Sequence, residues 1–405
     1  MAAGVVHPAL DASKPLVTKA DGDQNTSVQS AIRGMVRSLR NAMHKQPRRD
    51  AAELSRRTFV GATVAAAATA AAVRAGAQAP AGSAPKDEAP PSLAARPPEG
   101  FVPMAAPGLI VKVAKTNTLQ PNELWPKEDA ARVMLERAMT ELTGKTDLGQ
   151  AFGRFVHPRD RVAIKVNGIA GQKGATMGTN KELILEIVRG VLASGVKPEN
   201  LWVFEQYPSF LQGTRIKDSV LPEGVKSYTH NNTDAGTGTI KIHSIKTRFA
   251  RQLMEATAVI NVSLIKDHSL CGYTGQLKNM THGCTLNPHE FHANLMDPQI
   301  PLVYAQDAIR SRVRLQVSDG FKLIYNGGPL DRDTRARVPH EAVYVSTDPV
   351  ALDRFGWELV DKWRNDKGLP ILKKAKREPT YILRAGDMGL GIADLNQIRV
   401  KEFNA

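Results

Sequence analysis

Cysteine is scarce in this chain, with only Cys271 and Cys284 among 405 residues. Two cysteines exclude the disulfide scaffold typical of small secreted domains. They also cannot supply the four thiolates that an iron–sulfur cluster requires. If the chain reaches an oxidising compartment, the pair could form one disulfide. A metal ligand, a nucleophile and a buried small apolar residue are the other roles open to Cys284.

Aromatic residues make up 5% of the chain, and the lysines and arginines are spread along the sequence rather than gathered beside aromatic side chains. Nucleic-acid-binding surfaces combine basic clusters with aromatics, so the pattern excludes a nucleic-acid partner. The formal net charge of +14 therefore favours small anionic molecules or membrane surfaces as partners.

Long hydrophobic runs are also missing. The main apolar run, Phe59 to Val73, has about 15 residues, fewer than the roughly 20 that a membrane-spanning helix needs. It follows Ser55-Arg56-Arg57, which together with the run forms a twin-arginine export signal. Ala75-Gly76-Ala77 fits a cleavage site, so we expect a mature start at Gln78 and no membrane span beyond it.

The signal predicts a region of residues 1–77 that is recognised by the twin-arginine translocase and removed by signal peptidase. A periplasmic or extracellular location follows from it. The alternative is a chance pair of arginines before a cytosolic helix. We expect translation to start at Met43 or Met35, since Met43 lies 12 residues before the Ser-Arg-Arg sequence.

The remaining chain divides into a flexible Pro/Ala/Gly-rich linker over residues 78–108 and one α/β domain over residues 109–405. Residues 161–166 and 201–205 are β-rich, and an amphipathic helix over 181–193 lies between them. Strand, helix, strand at this spacing predicts a parallel crossover. We therefore expect a mainly parallel, mixed sheet with helices on both faces. Further segments complete the prediction: strands at 109–113, 258–264, 315–319, 342–346 and 398–400, and helices at 127–143 and 350–363.

Polar residues stand where several predicted strands end. Open α/β sheets bind ligands beyond the carboxyl ends of their strands, which predicts a ligand cleft there. The alternative is that strand ends are polar because they meet solvent. The residues in question are Lys165 and Asn167, Glu205, the run Lys266-Asp267-His268, and Asp319.

The segment from Ile265 to Asn294 holds four of the ten histidines and both cysteines. His282, Cys284, His289 and His292 have the residue types and close spacing of metal ligands, and imidazole with thiolate suits Zn, Fe or Cu. A second interpretation needs no metal: lysines and histidines of this segment bind an anion and exchange protons with it. A third assigns these groups to capping and loop hydrogen bonds.

Asp348-Pro349 precedes the predicted helix at 350–363, and Asp with Pro at this position is typical of a helix N-terminus. Asp353 lies one turn further on. It is expected either to face the cleft or to favour the positive end of its helix.

Taken in order, several motifs resemble the DUF362 family of uncharacterised bacterial and archaeal proteins, over roughly residues 109–402. The resemblance implies an α/β domain without a settled reaction. It also implies a ligand site at the matching Lys, Asn and His positions, which adds Asn279 to Lys165 and Asn167 as substrate-binding candidates. The motifs are Lys165-Val166-Asn167, Leu264-Ile265-Lys266-Asp267-His268, Gly275-Gln276-Leu277-Lys278-Asn279, Asp319-Gly320, Asp348-Pro349-Val350-Ala351-Leu352-Asp353 and Gly389-Leu390-Gly391-Ile392-Ala393-Asp394.

The first functional hypothesis is an enzyme acting on a small anionic substrate, as an oxidoreductase or a metal-assisted hydrolase. Lys266 and Lys278 would bind and polarise the substrate. His268 or His282 would move protons, and Asp319 would orient a histidine or a metal. The alternative is a non-catalytic periplasmic protein that binds a metal or another ligand, and a protein-interaction module is a third option.

Overall fold

A computed structural model describes residues 92–171 and 177–405 of the chain. The predicted signal region, its cleavage site and the first part of the predicted linker lie outside the described residues. None of the described helices combines the length and apolar composition that a bilayer crossing requires.

Residues 92–108 lie against the domain that follows them. The Ala95 N–H donates to Ser311 Oγ at 2.8 Å, and the Met104 N–H donates to the Arg154 carbonyl at 2.8 Å. Contacts with the domain therefore begin ahead of residue 109, where the sequence places its start, and this part of the predicted linker is held by hydrogen bonds.

Most of the described strands belong to one large mixed sheet. Its strands are β1 Leu109–Ala114, β2 Val162–Lys165, β3 Leu201–Glu205, β4 Lys226–Thr229, β7 Ala258–His268, β8 Gly272–Thr274, β9 Val313–Ile324, β10 Arg337–Ser346 and β11 Arg399–Asn404, and a separate pair consists of β5 Ile240–Ile242 and β6 Ile245–Thr247. The spatial order in the large sheet is β11-β1-β10-β9-β7-β2-β3-β4. Strands β9, β7, β2, β3 and β4 are mutually parallel, whereas β10 runs antiparallel to its neighbours and β8 pairs with β7 in a hairpin.

Helices cover both faces of the sheet, which confirms the predicted α/β class. Strands β2 and β3 are buried along their whole length because they are covered on two sides. On one face, Val111, Ile164 and Val203 pack with the first three helices. On the other, Trp202, Phe204 and Val259 share a core with later helices. The helices are α1 Glu128–Thr143, α2 Leu148–Phe152, α3 Lys181–Ala193, α4 Pro208–Gly213, α5 Arg251–Met254, α6 Gln276–Thr281, α7 Gln299–Tyr304, α8 Asp307–Arg310, α9 Pro349–Asp366 and α10 Thr380–Asp387.

The parallel strands bring their carboxyl ends to one edge of the sheet. Strand β2 ends at Lys165, β3 ends at Glu205 and β7 ends at His268. The turn after β8 leads directly into α6, which packs beside β7. This arrangement places α6 over the strand ends and defines where the candidate site lies.

Candidate functional site

A buried ion pair joins the ends of β2 and β3. Lys165 Nζ donates to Glu205 Oε2 at 2.7 Å, to the Val166 carbonyl at 2.6 Å and to Asn279 Oδ1 at 3.3 Å. Both charged side chains are almost completely buried. Since an ammonium group has three donors, all of those on Lys165 are used. Lys165, predicted to bind substrate, therefore lies at the site with its charge already paired.

A line of amide side chains, called here the amide row, runs from the strand ends into the core. Lys266 Nζ donates to Asn167 Oδ1 at 2.6 Å, and Asn167 Nδ2 donates to Asn279 Oδ1 at 2.9 Å. Asn279 Nδ2 then donates to Asn261 Oδ1, and Asn261 Nδ2 to Gln316 Oε1, each at 2.8 Å. Because a lysine ammonium can only donate, its position sets the orientation of every amide in the row.

Lys278 lies on α6 and is 8% exposed. Among the residues that the structure describes, its Nζ has no hydrogen-bond or ion-pair partner. Three imidazole rings lie nearby: the His282 and His292 rings are 4.7 Å apart between centroids, and the His268 and His292 rings 6.3 Å. We call Lys266, His268, Lys278, His282 and His292 the Lys278 cluster.

Four residues of the Lys278 cluster are buried, His292 is half-buried, and the cluster contains no carboxylate. Burial, followed by the charge of Lys278, lowers the pKa of Lys266 to about 7 and holds the pKa values of His268 and His282 well below the ordinary histidine range. The same two causes lower the pKa of His292 to about 4. The groups of the cluster therefore oppose one another's positive charge.

His282 presents an unpartnered nitrogen. Within the described part of the chain, its Nε2 is buried and forms no hydrogen bond of normal geometry, while its Nδ1 lies 3.2 Å from Thr281 Oγ1. The Phe291 backbone lies near the ring and acts to raise its pKa, but burial outweighs this contact. His282 and Lys278 line a cavity of about 50 Å³ together with Asn167, Thr274 and the Lys165–Glu205 pair. A space of this size holds a few waters or one small anion.

A larger hollow of about 600 Å³ lies between α4 and β4, lined in part by Trp125, Arg215 and Tyr228. Arg215 already donates to both carboxylate oxygens of Glu182, at 2.8 and 2.6 Å, and its guanidinium lies over the Trp125 ring. Its buried charge is therefore satisfied, and we place the candidate site in the smaller cavity.

The position of α6 depends on Asp353, which lies on α9. Its carboxylate accepts the backbone N–H groups of Gln276 at 2.5 Å and Leu277 at 2.9 Å. Burial raises the pKa of Asp353 to about 7. The expectation that Asp353 favours the positive end of its own helix is wrong, because it stabilises the start of α6 instead. Asp348 is the N-cap that the sequence predicts, accepting from the Ala351 N–H at 2.9 Å.

Asp319 does not orient a histidine. It lies inside β9 rather than at its end, and its carboxylate accepts the backbone N–H of Asn180 at 2.7 Å and the Asn180 side-chain amide at 3.0 Å. Asn180 directly precedes α3. Asp319 therefore anchors the start of α3. The predicted catalytic role of Asp319 is corrected accordingly, because the strand continues past it and its carboxylate is engaged by Asn180.

The four predicted metal ligands are not brought together. Cys284 is fully buried, and burial raises the pKa of its thiol to about 12. The His289 side chain is 60% exposed and lies 4.0 Å from Glu290. Across residues 92–171 and 177–405, no group of three or more His, Cys, Asp or Glu side chains is placed to hold a metal ion. His282 and His292 remain neighbours, within the Lys278 cluster.

The two cysteines are both buried and free rather than joined. Cys271 Sγ donates to the Tyr273 carbonyl at 3.1 Å, and burial raises the pKa of its thiol to about 12. Of the roles left open for this pair, the buried thiol agrees with the structure.

Residues 162–358 match the family described as "Domain of unknown function (DUF362)", so the chain carries a DUF362 domain and the resemblance seen in the sequence is confirmed. The match includes every residue of the ion pair, the amide row and the Lys278 cluster. No curated protein matches the chain. Among solved structures, the lactate racemase apoprotein from Thermoanaerobacterium thermosaccharolyticum aligns with 62% of this chain and 62% of its own, at 11% identity and a TM-score of 0.35. That likeness is too low to support a functional conclusion.

Proposed function

We propose that the domain binds a small anion in the cavity beside α6 and exchanges a proton with it, as an enzyme of acid–base chemistry. The observation that carries the proposal is that Lys278 and His282 line the same cavity. Both residues are buried, and among the described residues neither Lys278 Nζ nor His282 Nε2 forms a hydrogen bond of normal geometry or an ion pair. An unpaired buried ammonium is costly, and an anion beside it removes that cost.

The two groups have different roles. Lys278 supplies the charge that holds the anion and polarises it. His282 has a pKa below its ordinary range and is therefore neutral at pH 7. We assign its proton to Nδ1, beside Thr281 Oγ1, which leaves Nε2 as the nitrogen that accepts a proton in the cavity. Asn279 Nδ2 uses both of its donors, on Asn261 Oδ1 and on the Val262 carbonyl. Asn167 Nδ2 uses one of its two donors within the amide row, so its second N–H is available to a ligand.

Metal-assisted hydrolysis finds less support than acid–base chemistry, because no three or more His, Cys, Asp or Glu side chains of the described residues are placed to hold a metal ion. The size of the cavity favours an anion of a few heavy atoms, such as a short carboxylate.

The test is anion-dependent stabilisation of the full chain. Thermal unfolding would be followed with added formate, nitrate or sulfate, at an ionic strength kept constant with gluconate, which is too large for the cavity. A bound anion raises the unfolding temperature as its concentration rises. Lys278→Met should abolish the rise, and Lys145→Met, at an exposed position after α1, should retain it. An equal rise in wild type and Lys278→Met would overturn the proposal.

We further propose that the twin-arginine sequence delivers this activity outside the cytoplasm. The support is the order of Arg56-Arg57, the apolar run and the cleavage site in the sequence. Cell fractionation of a bacterial host would show the mature chain outside the cytoplasm, and the double variant Arg56→Lys/Arg57→Lys would retain the precursor inside. Unchanged fractionation of that variant would contradict export by this route.

A further inference from the structure

We propose that the Lys278 cluster takes up a proton together with the anion, so that the site binds the equivalent of a small acid. The inference rests on the proposed function and adds a coupling between ligand and proton. Its basis is the placement of the five basic groups. Lys278 and His282 line the cavity, and Lys266 donates to the cavity residue Asn167 at 2.6 Å. The rings of His268, His282 and His292 lie beside one another.

The carboxylates around the cluster are each engaged by a cation of their own. Glu205 pairs with Lys165 at 2.7 Å, Asp267 with Arg377 at 2.7 Å, and Asp331 with Arg337 at 2.5 Å. The basic groups of the cluster come from three segments: Lys266 and His268 from β7, Lys278 and His282 from α6, and His292 from the short 3-10 helix Pro288–His292. Glu205 and Asp331 raise the pKa of Lys266, but burial and the charge of Lys278 outweigh them, and its pKa falls to about 7.

Without an anion, the three histidines have pKa values below the ordinary range, and Lys266, with a pKa of about 7, is about half protonated at pH 7. Burial and the charge of Lys278 lower the pKa values of Lys266, His268 and His282. A negative charge placed beside Lys278 offsets the positive charge of Lys278 and so raises the pKa values of Lys266, His268 and His282. By linkage, a ligand that raises the pKa of a group is bound more tightly where that group is protonated.

The direction of the pH dependence follows from Lys266, whose pKa is about 7 in the free site. Above that pH the amine is neutral, and the anion must recruit a proton from solvent to Lys266 Nζ. Affinity for the anion is therefore expected to fall as pH rises above about 7, by up to about tenfold per pH unit for one proton. The step consists of proton transfer from water or buffer to nitrogen, with no oxidation and no bond to carbon broken.

Calorimetry of the full chain tests the coupling. Formate and nitrate are suitable probes because neither titrates in the relevant range. The binding heat at about pH 8 would be measured in two buffers with different protonation enthalpies. A heat that depends on the buffer shows proton uptake. A heat that is independent of the buffer, with an affinity constant from about pH 6 to about pH 9, would overturn the inference.

Variants separate this inference from the proposed function. Lys266→Met and His282→Gln each remove one titrating group, and each should bind the anion with smaller proton uptake. Lys278→Met should lose binding, while Lys145→Met should keep both binding and uptake. If neither formate nor nitrate binds to the wild-type chain, both the anion site and the proton coupling are refuted. If an anion binds without proton uptake, only the coupling is refuted. Circular dichroism of each variant confirms that it is folded.

Discussion

The Asp353 carboxylate accepts the backbone N–H of Gln276, 77 positions earlier in the chain, at 2.5 Å. A second bond from the Leu277 N–H, at 2.9 Å, fixes the first turn of α6 to α9. Helix α6 has six residues and carries Lys278, and His282 follows it directly. A helix this short has little stability of its own, so its position depends on tertiary contacts such as this one.

Asp353→Ala should therefore destabilise the domain and weaken anion binding together. The change leaves two buried N–H groups without their charged acceptor, at a cost of about 2–4 kcal/mol in the free energy of unfolding. Urea unfolding and formate affinity would be measured on the same samples. The exposed Asp387→Ala serves as the matched control. An alanine variant as stable as wild type would contradict the role assigned to Asp353.

Lys266→Met should stabilise the domain near neutral pH. Burial lowers the pKa of Lys266 to about 7 in the native state, whereas the unfolded lysine titrates near its ordinary value of about 10.4. Between these values the unfolded chain holds more protons, so wild-type stability rises with pH by at most about 1.4 kcal/mol per pH unit from this group. The cost of burying the charge is fully present at and below pH 7 and disappears as pH approaches 10.

The advantage of the methionine variant should therefore shrink steadily between about pH 7 and about pH 10. Urea unfolding of both proteins across this range measures it, and the difference between the two curves isolates Lys266. The methionine variant also loses the hydrogen bond to Asn167 Oδ1, which reduces its stability advantage by about 1 kcal/mol at every pH. A difference that stays constant with pH would show that the lysine is not neutralised by folding.

Asn261→Asp should disrupt the amide row. Asn261 Nδ2 donates to Gln316 Oε1 at 2.8 Å and to the Gln276 carbonyl at 2.9 Å, and an ionised aspartate has no donor for either oxygen. We expect a loss of about 3 kcal/mol or more in the free energy of unfolding at neutral pH. Protonation of the new carboxyl restores one donor, so the loss should decrease on acidification.

The control for that substitution is Asn365→Asp, at an exposed position near the end of α9. It makes the same chemical change where water satisfies both oxygens. Chemical denaturation at about pH 5 and about pH 8 distinguishes the two variants. Equal losses of stability at positions 261 and 365 would show that the amide row does not depend on the donor–acceptor direction of its hydrogen bonds.

The thiols should be inaccessible in the native protein. Cys271 and Cys284 are free and fully buried, and burial raises the pKa of each thiol to about 12. A coloured thiol reagent should label neither cysteine of the folded chain and both cysteines in denaturant without reductant. Two labelled thiols before unfolding would show that this region opens, and none after unfolding would reveal a disulfide.

Much of the fold could be predicted because its signals are local. The bounds of α3 and β3 agree with the prediction, since helical periodicity and a short apolar run lie within the segments themselves. Strands β7 and β9 are longer than predicted, at 11 and 12 residues. The extension of β7 contains the buried Lys266, and its hydrogen bond to Asn167 in a distant segment makes that burial possible.

The candidate site was predictable in its residue types but not in its pairings. The lysines, amides and three histidines chosen from strand ends and from one dense segment lie together. Asp319, Cys284 and His289 were chosen on the same grounds and lie elsewhere, because a strand end or a close spacing does not determine the direction of a side chain. Asn261 and Asp353 act through residues far away in the chain, and only the fold reveals those contacts.

The direction of the amide row has a consequence for how such domains diverge. Each amide receives a hydrogen bond on one side and passes one on at the other, so a replacement at position 167, 261, 279 or 316 reverses or removes a bond at its neighbour. We therefore expect single replacements in the amide row to be rare and changes to occur in compensating pairs. The four positions should vary together across related domains, although they lie on separate segments of the fold.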